Sequence, residues 1–309
     1  MKTVLGNIES IDEPLACSIG NFDGIHTGHL KVLKILKSEA EKRGLKTAVI
    51  TFYPHPRKVL KRENLCRIIN LKTKEDILKN LGIDYLIVID FSPEFASKTK
   101  DEFIEFLKEK LNCRLLVVGE DWRFGKNREG DIQYLRKTGI NVIPVEKEKL
   151  DGEKISSSQI RKLLKEGKVE EVSKILGRPY CIKGKTVKGK GLGRQIGFPT
   201  INVDPQEELC LRFGVYAGRI IIDGRQYKAA INFGKKPTVE NLKRPIIEVH
   251  IVEPFSIKKL PEYITVCFDR FIRDEKKFNS LEELIFQIKK DVELIKRIEF
   301  GGKVDEQIT

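Results

Sequence analysis

The chain has 309 residues, 40% of them hydrophobic and 33% charged, with a net charge of +13. That length suits two domains with cores of their own rather than one. No run of about 18 apolar residues occurs, which argues against a membrane helix, and Met1-Lys2-Thr3-Val4-Leu5-Gly6 carries no apolar leader, so a cytoplasmic protein is expected.

The positive charge is spread over both halves of the chain. An even field of this kind attracts anionic substrates, whereas nucleic-acid binding calls for a concentrated basic stripe. No nucleic-acid partner and no membrane partner are expected, and a monomer or weak homo-oligomer suffices. The six cysteines (17, 66, 113, 181, 210 and 267) are far apart and form no Cys-x-x-Cys. They read as scattered core thiols, without a zinc site or a disulfide framework. The high charge content is also a pattern of heat-adapted proteins.

In chain order, residues 15–20 (Leu-Ala-Cys-Ser-Ile-Gly) predict a buried strand ending in a glycine turn. Residues 29–43 predict a helix with Leu30, Leu33, Ile35, Leu36 and Ala40 on one face, closed by Gly44. Strands follow at 47–52, 85–89, 115–119 and 141–145, with helices over 72–81 and 97–111. Continuous apolar strands alternating with helices predict a doubly wound parallel sheet covered on both faces. Two more helices are expected over 156–166, capped by Ser156 or Ser157 and stopped by Gly167, and over 169–176. Beyond residue 180 the strands become short and alternating. Asp223-Gly224 between two of them is a hairpin signature, so residues 181–309 predict a β-barrel domain closed by a helix over 281–297. The domain boundary is placed at 180/181.

The chemistry of the first domain starts where its first strand ends. Gly20-Asn21-Phe22-Asp23-Gly24 turns the chain, and His26-Thr27-Gly28-His29 opens a helix. A helix start offers free amides and a positive dipole end to phosphate, Gly28 permits close backbone approach, and two histidines three apart can donate to phosphate oxygens. A third type of metal ligand is missing nearby, which argues against zinc. Ile155-Ser156-Ser157-Ser158-Gln159-Ile160-Arg161 is a second anion cradle, with Arg161 one turn into its helix. Thr51-Phe52-Tyr53-Pro54-His55-Pro56 and Gly119-Glu120-Asp121-Trp122-Arg123-Phe124-Gly125 follow strands and bring rings suited to stacking on a planar substrate.

The second domain carries a glycine-rich stretch, 188–197, then Phe198-Pro199-Thr200-Ile201-Asn202. It is neither a P-loop nor a Rossmann fingerprint. Thr200 and Asn202 are two apart, so on a strand their oxygens share a face and can hold a magnesium ion with ATP phosphates. Glu248, flanked by apolar residues in Ile246-Ile247-Glu248-Val249-His250, is a candidate general base for a hydroxyl substrate.

Together these motifs resemble the bacterial bifunctional riboflavin kinase/FAD synthetase family. Its FMN adenylyltransferase module has Gly-Asn-Phe-Asp-Gly-x-His-x-Gly-His, Phe-x-Pro-His-Pro, Gly-x-Asp-Phe-Arg-Phe-Gly and Ile-Ser-Ser-Thr-x-Ile-Arg segments. All four occur here, with Trp122 for Phe and Ser158 for Thr. Its riboflavin kinase module is matched by Leu176-Gly177-Arg178-Pro179-Tyr180, Gly193-Arg194-x-x-Gly197-Phe198-Pro199-Thr200-x-Asn202, Gly214-Val215-Tyr216, Asn232-Phe233-Gly234-Lys235-Lys236-Pro237-Thr238, Glu248-Val249-His250 and the run Phe271–Phe278. One departure follows His250, where the family has an acidic-aromatic segment ending in Leu-Tyr-Gly and this chain does not.

The resemblance implies an HxGH-type nucleotidyltransferase domain and a small Greek-key barrel with a C-terminal helix. It implies riboflavin, FMN and ATP as substrates, FAD as product and Mg2+ as cofactor. His26 and His29 would stabilise the α-phosphate. Ser157, Ser158 and Arg161 would hold the departing pyrophosphate, and Gly20, Asn21, Phe22, Asp23 and Gly28 would shape the nucleotide site. Phe52, Pro54, His55, Asp121, Arg123, Phe124 and Arg128 would meet FMN. In the barrel, Gly193, Thr200 and Asn202 would bind magnesium–ATP, Glu248 would activate the ribityl hydroxyl and Arg273 would contact flavin. An adenylyltransferase with a degenerate barrel would lack a Thr-x-Asn and Glu set, and this chain keeps Thr200, Asn202 and Glu248.

Overall fold

The computed structural model describes residues 1–300 apart from 7, 61–64, 151, 190, 235–243 and 258. The Lys235–Thr238 part of the Asn-Phe-Gly motif and Lys190 of the glycine-rich stretch lie outside the described residues. The chain divides into two compact units, Met1–Leu65 with Ile77–Ile155, and Cys66–Asp76 with Ser156–Thr309.

The first unit is built on six strands: β1 (Lys2–Leu5), β2 (Leu15–Ile19), β3 (Lys46–Tyr53), β4 (Tyr85–Asp90), β5 (Cys113–Gly119) and β6 (Asn141–Val145). They lie in the order β1-β4-β3-β2-β5-β6, and every pairing is parallel. All five residues of β2 are buried, as its unbroken apolar run requires of a strand covered on both faces. The chain moves outward from β2 through β3 and β4, then crosses to β5 on the other side. The sheet therefore has its topological switch point at the C-terminal end of β2, where ligands bind in open α/β sheets.

The helices of this unit are α1 (Thr27–Arg43), α2 (Pro56–Leu60), α4 (Pro93–Ala96), α5 (Lys100–Glu105) and α6 (Ile132–Arg136), while α3 (Leu71–Asn80) crosses the division at residue 76. Two short antiparallel strands, β7 (Lys149–Leu150) and β8 (Glu153–Lys154), end it. Three departures from the sequence reading stand out. β1 escaped notice because four residues carry little periodicity. The helix expected over 97–111 is α5 followed by a π-helical turn, Phe106–Lys110. It begins late because Thr99 and Glu102 form a reciprocal capping box that fixes the start at Lys100.

The second unit holds α7 (Ser157–Glu166), α8 (Val169–Leu176), α9 (Leu192–Gln195), α10 (Leu281–Arg297) and a closed barrel. The barrel strands are β9 (Tyr180–Val187), β10 (Ile201–Asp204), β11 (Gly214–Ile222), β12 (Arg225–Gly234), β13 (Ile246–Ile251) and β14 (Tyr263–Arg273). They are antiparallel, in the order β10-β13-β12-β11-β14-β9. The Asp223-Gly224 turn has positive φ at both positions, 48° and 75°, as a type I′ hairpin turn requires.

The sequence boundary at 180/181 left residues 66–76, α7 and α8 outside the barrel, whereas the compact unit includes them. Hydrogen bonds explain the difference. The Asn70 amide donates to the carbonyls of Lys183 and Pro205, both at 2.7 Å, and the Tyr180 hydroxyl donates to Ile68 O at 2.7 Å. Arg212 reaches the last carbonyl of α7 at 3.3 Å.

The cysteine expectation is overturned for four of the six residues. Cys66 is bonded to Cys210 and Cys181 to Cys267. Spacing along the chain could not reveal this, because tertiary register makes the pairs. Cys181 and Cys267 are cross-strand partners on β9 and β14, and Cys66 and Cys210 flank the bridge between Arg67 and Leu209. Cys17 and Cys113 are buried thiols as expected, and burial, with Cys113 beside it, pushes the Cys17 thiol well above its usual range. Replacing Cys181 and Cys267 together by serine is expected to lower stability by ~2–4 kcal/mol. The drop should register in urea unfolding of the variant against the oxidised parent; superimposed transitions would contradict the bond.

Candidate active sites

At the switch point of the first unit, β2 ends at Ile19 and the loop turns through Phe22, Gly24 and Ile25, all at positive φ (44°, 94° and 44°). The Thr51 hydroxyl on β3 donates to Asn21 O at 3.0 Å and pins the loop to the sheet. His26 caps α1, its Nδ1 accepting from the His29 backbone N–H at 3.4 Å. With Nδ1 an acceptor, the proton of the neutral ring sits on Nε2, the tautomer that can donate to phosphate. The two imidazoles stack with centroids 3.7 Å apart and planes 17° off parallel, and Phe22 tilts against His29 at 5.0 Å. A Cβ on Gly28 would stand 3.3 Å from the His26 ring, so glycine there keeps the pair in place. Asp23 (1% exposed) and His26 (7%) are buried, so the base of the loop is shielded from solvent.

The residues expected to meet flavin fall into two groups around this sheet. Phe52, next to the last residue of β3, packs edge-on against Phe91, with centroids 5.4 Å apart. Just beyond it, His55 is buried and its Nδ1 accepts from Arg57 N–H at 3.1 Å. After β5, Trp122 and Phe124 stack on each other at 4.9 Å, with Phe124 against Phe103 beneath. Phe124 is 5% exposed, so Trp122 presents the more accessible ring. Asp121 is paired with Lys147 and Arg123 with Asp131, while Arg128 is exposed in a short turn at φ 61°.

Ser157, Ser158 and Arg161 belong to the second unit. Ser156 is the cap of α7 and accepts from Gln159 N–H at 3.2 Å, leaving Ser157 and Ser158 as its first two helical residues. Arg161 is 7% exposed, and its Nε donates to Cys66 O at 3.4 Å.

The outer face of the barrel, together with α9 and α10, lines a cavity of about 470 Å³. Its wall is one register row across five strands. Asn202 pairs with Glu248, Glu248 with Asn232, Asn232 with Val215, and Val215 with Arg273. Directly paired residues share a face of a sheet, and all five line the cavity. The Asn232 amide donates to Glu248 Oε2 at 3.4 Å. Asn202 Oδ1 is buried and has no hydrogen-bond partner among the described residues. Thr200 lines the same cavity. His250 Nδ1 lies 2.9 Å from Pro199 O, which holds the segment bearing Thr200 against β13. No residue of the atypical stretch 251–263 lines the cavity among the described residues. That stretch packs on β12 instead: Glu253 accepts from Lys228 N–H at 2.8 Å and Phe255 meets Tyr227 edge-on.

The orphaned oxygen of Asn202 and the Thr200 hydroxyl, on residues that line one cavity, are neutral hard oxygens of the kind that fits Mg2+ carried on a nucleotide. Glycine at 189 makes the fit feasible, since a Cβ there would lie 2.3 Å from Asn202 Nδ2. Gly189→Ala is therefore expected to raise the KM for magnesium–ATP about tenfold by displacing Asn202, a cost of ~1.4 kcal/mol. Steady-state kinetics at saturating acceptor would measure it, and an unchanged KM would show that Asn202 does not face the nucleotide.

A family model described as FAD synthetase matches residues 8–159, and one described as riboflavin kinase matches residues 176–299. The bifunctional riboflavin kinase/FMN adenylyltransferase of Buchnera aphidicola subsp. Schizaphis graminum is 35% identical over 96% of this chain and 98% of its own. The protein of the same name from Escherichia coli K12 is 34% identical over 94% of each. The chain belongs to the bifunctional riboflavin kinase/FMN adenylyltransferase family.

A crystal structure from Streptococcus pneumoniae, named as a macrolide-efflux protein, has the same fold: TM-score 0.78 at 30% identity over 96% of this chain and 99% of that one. No helix among the described residues is long and apolar enough to cross a membrane. Asn232 was given no role by the sequence reading, although it sits in the Asn-Phe-Gly motif; the signal was a polar residue between Ile231 and Phe233, on the face of β12 that alternates with the buried one.

Proposed function

We propose that the barrel cavity phosphorylates riboflavin to FMN with ATP, and that the His26/His29 end of the first unit adenylylates FMN with ATP to give FAD and pyrophosphate. The observation that carries the first half is the register row, which sets Glu248 between Asn202 and Asn232 in a cavity of about 470 Å³. The stacked histidines at the switch point of a parallel sheet carry the second.

In the kinase step the ribityl hydroxyl oxygen attacks the γ-phosphorus. The bond from that phosphorus to the bridging oxygen breaks, its electron pair leaves on ADP, and a Glu248 carboxylate oxygen takes the hydroxyl proton. Asn232 holds that carboxylate through the 3.4 Å contact. Thr200 and Asn202 hold the nucleotide, and Mg2+ when bound there neutralises phosphate charge. In the adenylyl step an FMN phosphate oxygen attacks the α-phosphorus and pyrophosphate leaves. The protein makes no covalent bond to the nucleotide, so catalysis is positioning and charge stabilisation. His26 and His29 donate to the α-phosphate oxygens. Ser157, Ser158 and Arg161 take the pyrophosphate, Asn21 and Asp23 shape the nucleotide site, and Phe52, Trp122 and Arg123 face the flavin.

This reading asks for one chain and small-molecule substrates only, and for a compartment rich in ATP, the cytoplasm. Chromatography of products from riboflavin, ATP and magnesium tests it. FMN followed by FAD is the expected result, and the absence of any flavin product would overturn it.

A further inference from the structure

α10 turns an apolar stripe toward the barrel. Leu284, Ile288 and Val292 line the cavity and Ile295 is fully buried. Asp291 stands in the same stripe, 6% exposed, where a lone carboxylate would be costly. It is fully engaged. Arg273 Nε donates to it at 3.0 and 3.2 Å and Nη2 at 2.7 Å, while Gln287 Nε2, one turn earlier on α10, donates to Oδ1 at 2.8 Å. Arg273 Nη1 donates to Asp274 O at 2.9 Å. These contacts use three of the five N–H groups of a guanidinium, and Arg273 lines the cavity.

Position selects the ligand atoms. Arg273 ends the register row that begins at Asn202, with Glu248, Asn232 and Val215 between them. Four interstrand steps of about 4.8 Å separate the two ends along the wall. Phosphates held at Asn202 and a hydroxyl at Glu248 leave the Arg273 end to the remainder of the acceptor. The cavity lining that follows Arg273 in the chain is mixed: Phe278, Leu284, Ile288 and Val292 give an apolar surface suited to a planar ring system, along with the charged Glu275 and Lys276. An arginine already neutralised by a carboxylate suits a carbonyl better than a second anion.

We propose that Asp291 is a positioning residue for the flavin end of the kinase site. It fixes Arg273 so that the two remaining N–H groups meet a ring carbonyl of riboflavin, and Gln287 fixes Asp291 in turn. The inference rests on the kinase reading of the cavity.

The test is steady-state kinetics of Asp291→Asn, Gln287→Leu and Arg273→Ala with riboflavin and with magnesium–ATP varied separately, alongside adenylylation of supplied FMN. Asp291→Asn is expected to raise the KM for riboflavin about tenfold. The KM for magnesium–ATP, the kcat of phosphorylation and the rate of FMN adenylylation should stay within about twofold. Gln287→Leu should show a smaller rise of the same kind. Combining Asp291→Asn with Arg273→Ala should add nothing to Arg273→Ala alone, because one acts through the other. A merely structural role would lower the melting temperature and shift all the constants together, and that result overturns the proposal. So does an unchanged riboflavin KM, or a rise in the nucleotide KM instead. A parent protein that does not phosphorylate riboflavin would remove the kinase reading itself, and the positioning role with it.

Discussion

Replacing Glu248 by alanine is expected to lower the rate of riboflavin phosphorylation by about 10²–10⁴, the range typical of a lost general base. The register explains why the effect should be large and local. Glu248 is the one carboxylate in the row Asn202-Glu248-Asn232-Val215-Arg273, and its strand neighbours on both sides present amides. No neighbour in that row can take over the proton. Truncation leaves β13 intact, since Val249 and Ile247, the residues that alternate with it, form the buried face of the strand. Adenylylation of supplied FMN should therefore continue at the parent rate. The measurement is initial velocity from riboflavin and from FMN in parallel. Loss of both rates would mean a folding defect, and retention of both would remove Glu248 from the chemistry.

Replacing His29 by alanine should have the mirror-image outcome, a fall in adenylylation of about 10²–10³ with phosphorylation preserved. That magnitude follows from deleting one preorganised donor to a developing phosphoryl charge. His29 is the better probe of the pair. His26 also caps α1 through its Nδ1, so its removal mixes catalysis with a cap loss of about 1 kcal/mol. The stack of the two rings at 3.7 Å predicts a smaller secondary effect, because His26 loses a neighbour that helps orient it. FMN should accumulate from riboflavin and ATP in this variant. Continued FAD formation at the parent rate would detach the histidines from the reaction.

What the sequence made legible was what local physics decides. The Gly44 and Gly167 helix stops are both left-handed caps, at φ 63° and 80°, as a residue free of Cβ strain allows. The Asp223-Gly224 turn, the buried β2 run and the stripe on α10 are equally local. The loop that carries His26 and the strand that carries Glu248 could be assigned because each motif is contiguous. What stayed hidden depends on contacts between distant residues. The bonds Cys66–Cys210 and Cys181–Cys267 span 144 and 86 residues. The row from Asn202 to Arg273 needs four strand registers at once. Residues 66–76 join the barrel unit through side-chain bonds of Asn70 that no periodicity announces. Asp291 did leave a trace, a charge on the apolar face of an amphipathic helix, which signals a buried partner elsewhere in the chain.

The central claim is that one chain carries two complete and separable sites, one for each transfer. Mixing the two variants tests it most directly. Glu248→Ala and His29→Ala proteins are incubated separately and together with riboflavin, ATP and magnesium, and the flavins are resolved by chromatography. The account predicts riboflavin unchanged in the first, FMN alone in the second, and FAD in the mixture, because FMN released by one protein is adenylylated by the other. A mixture that stops at FMN would contradict it, since the site left intact in each variant would then not work without its neighbour.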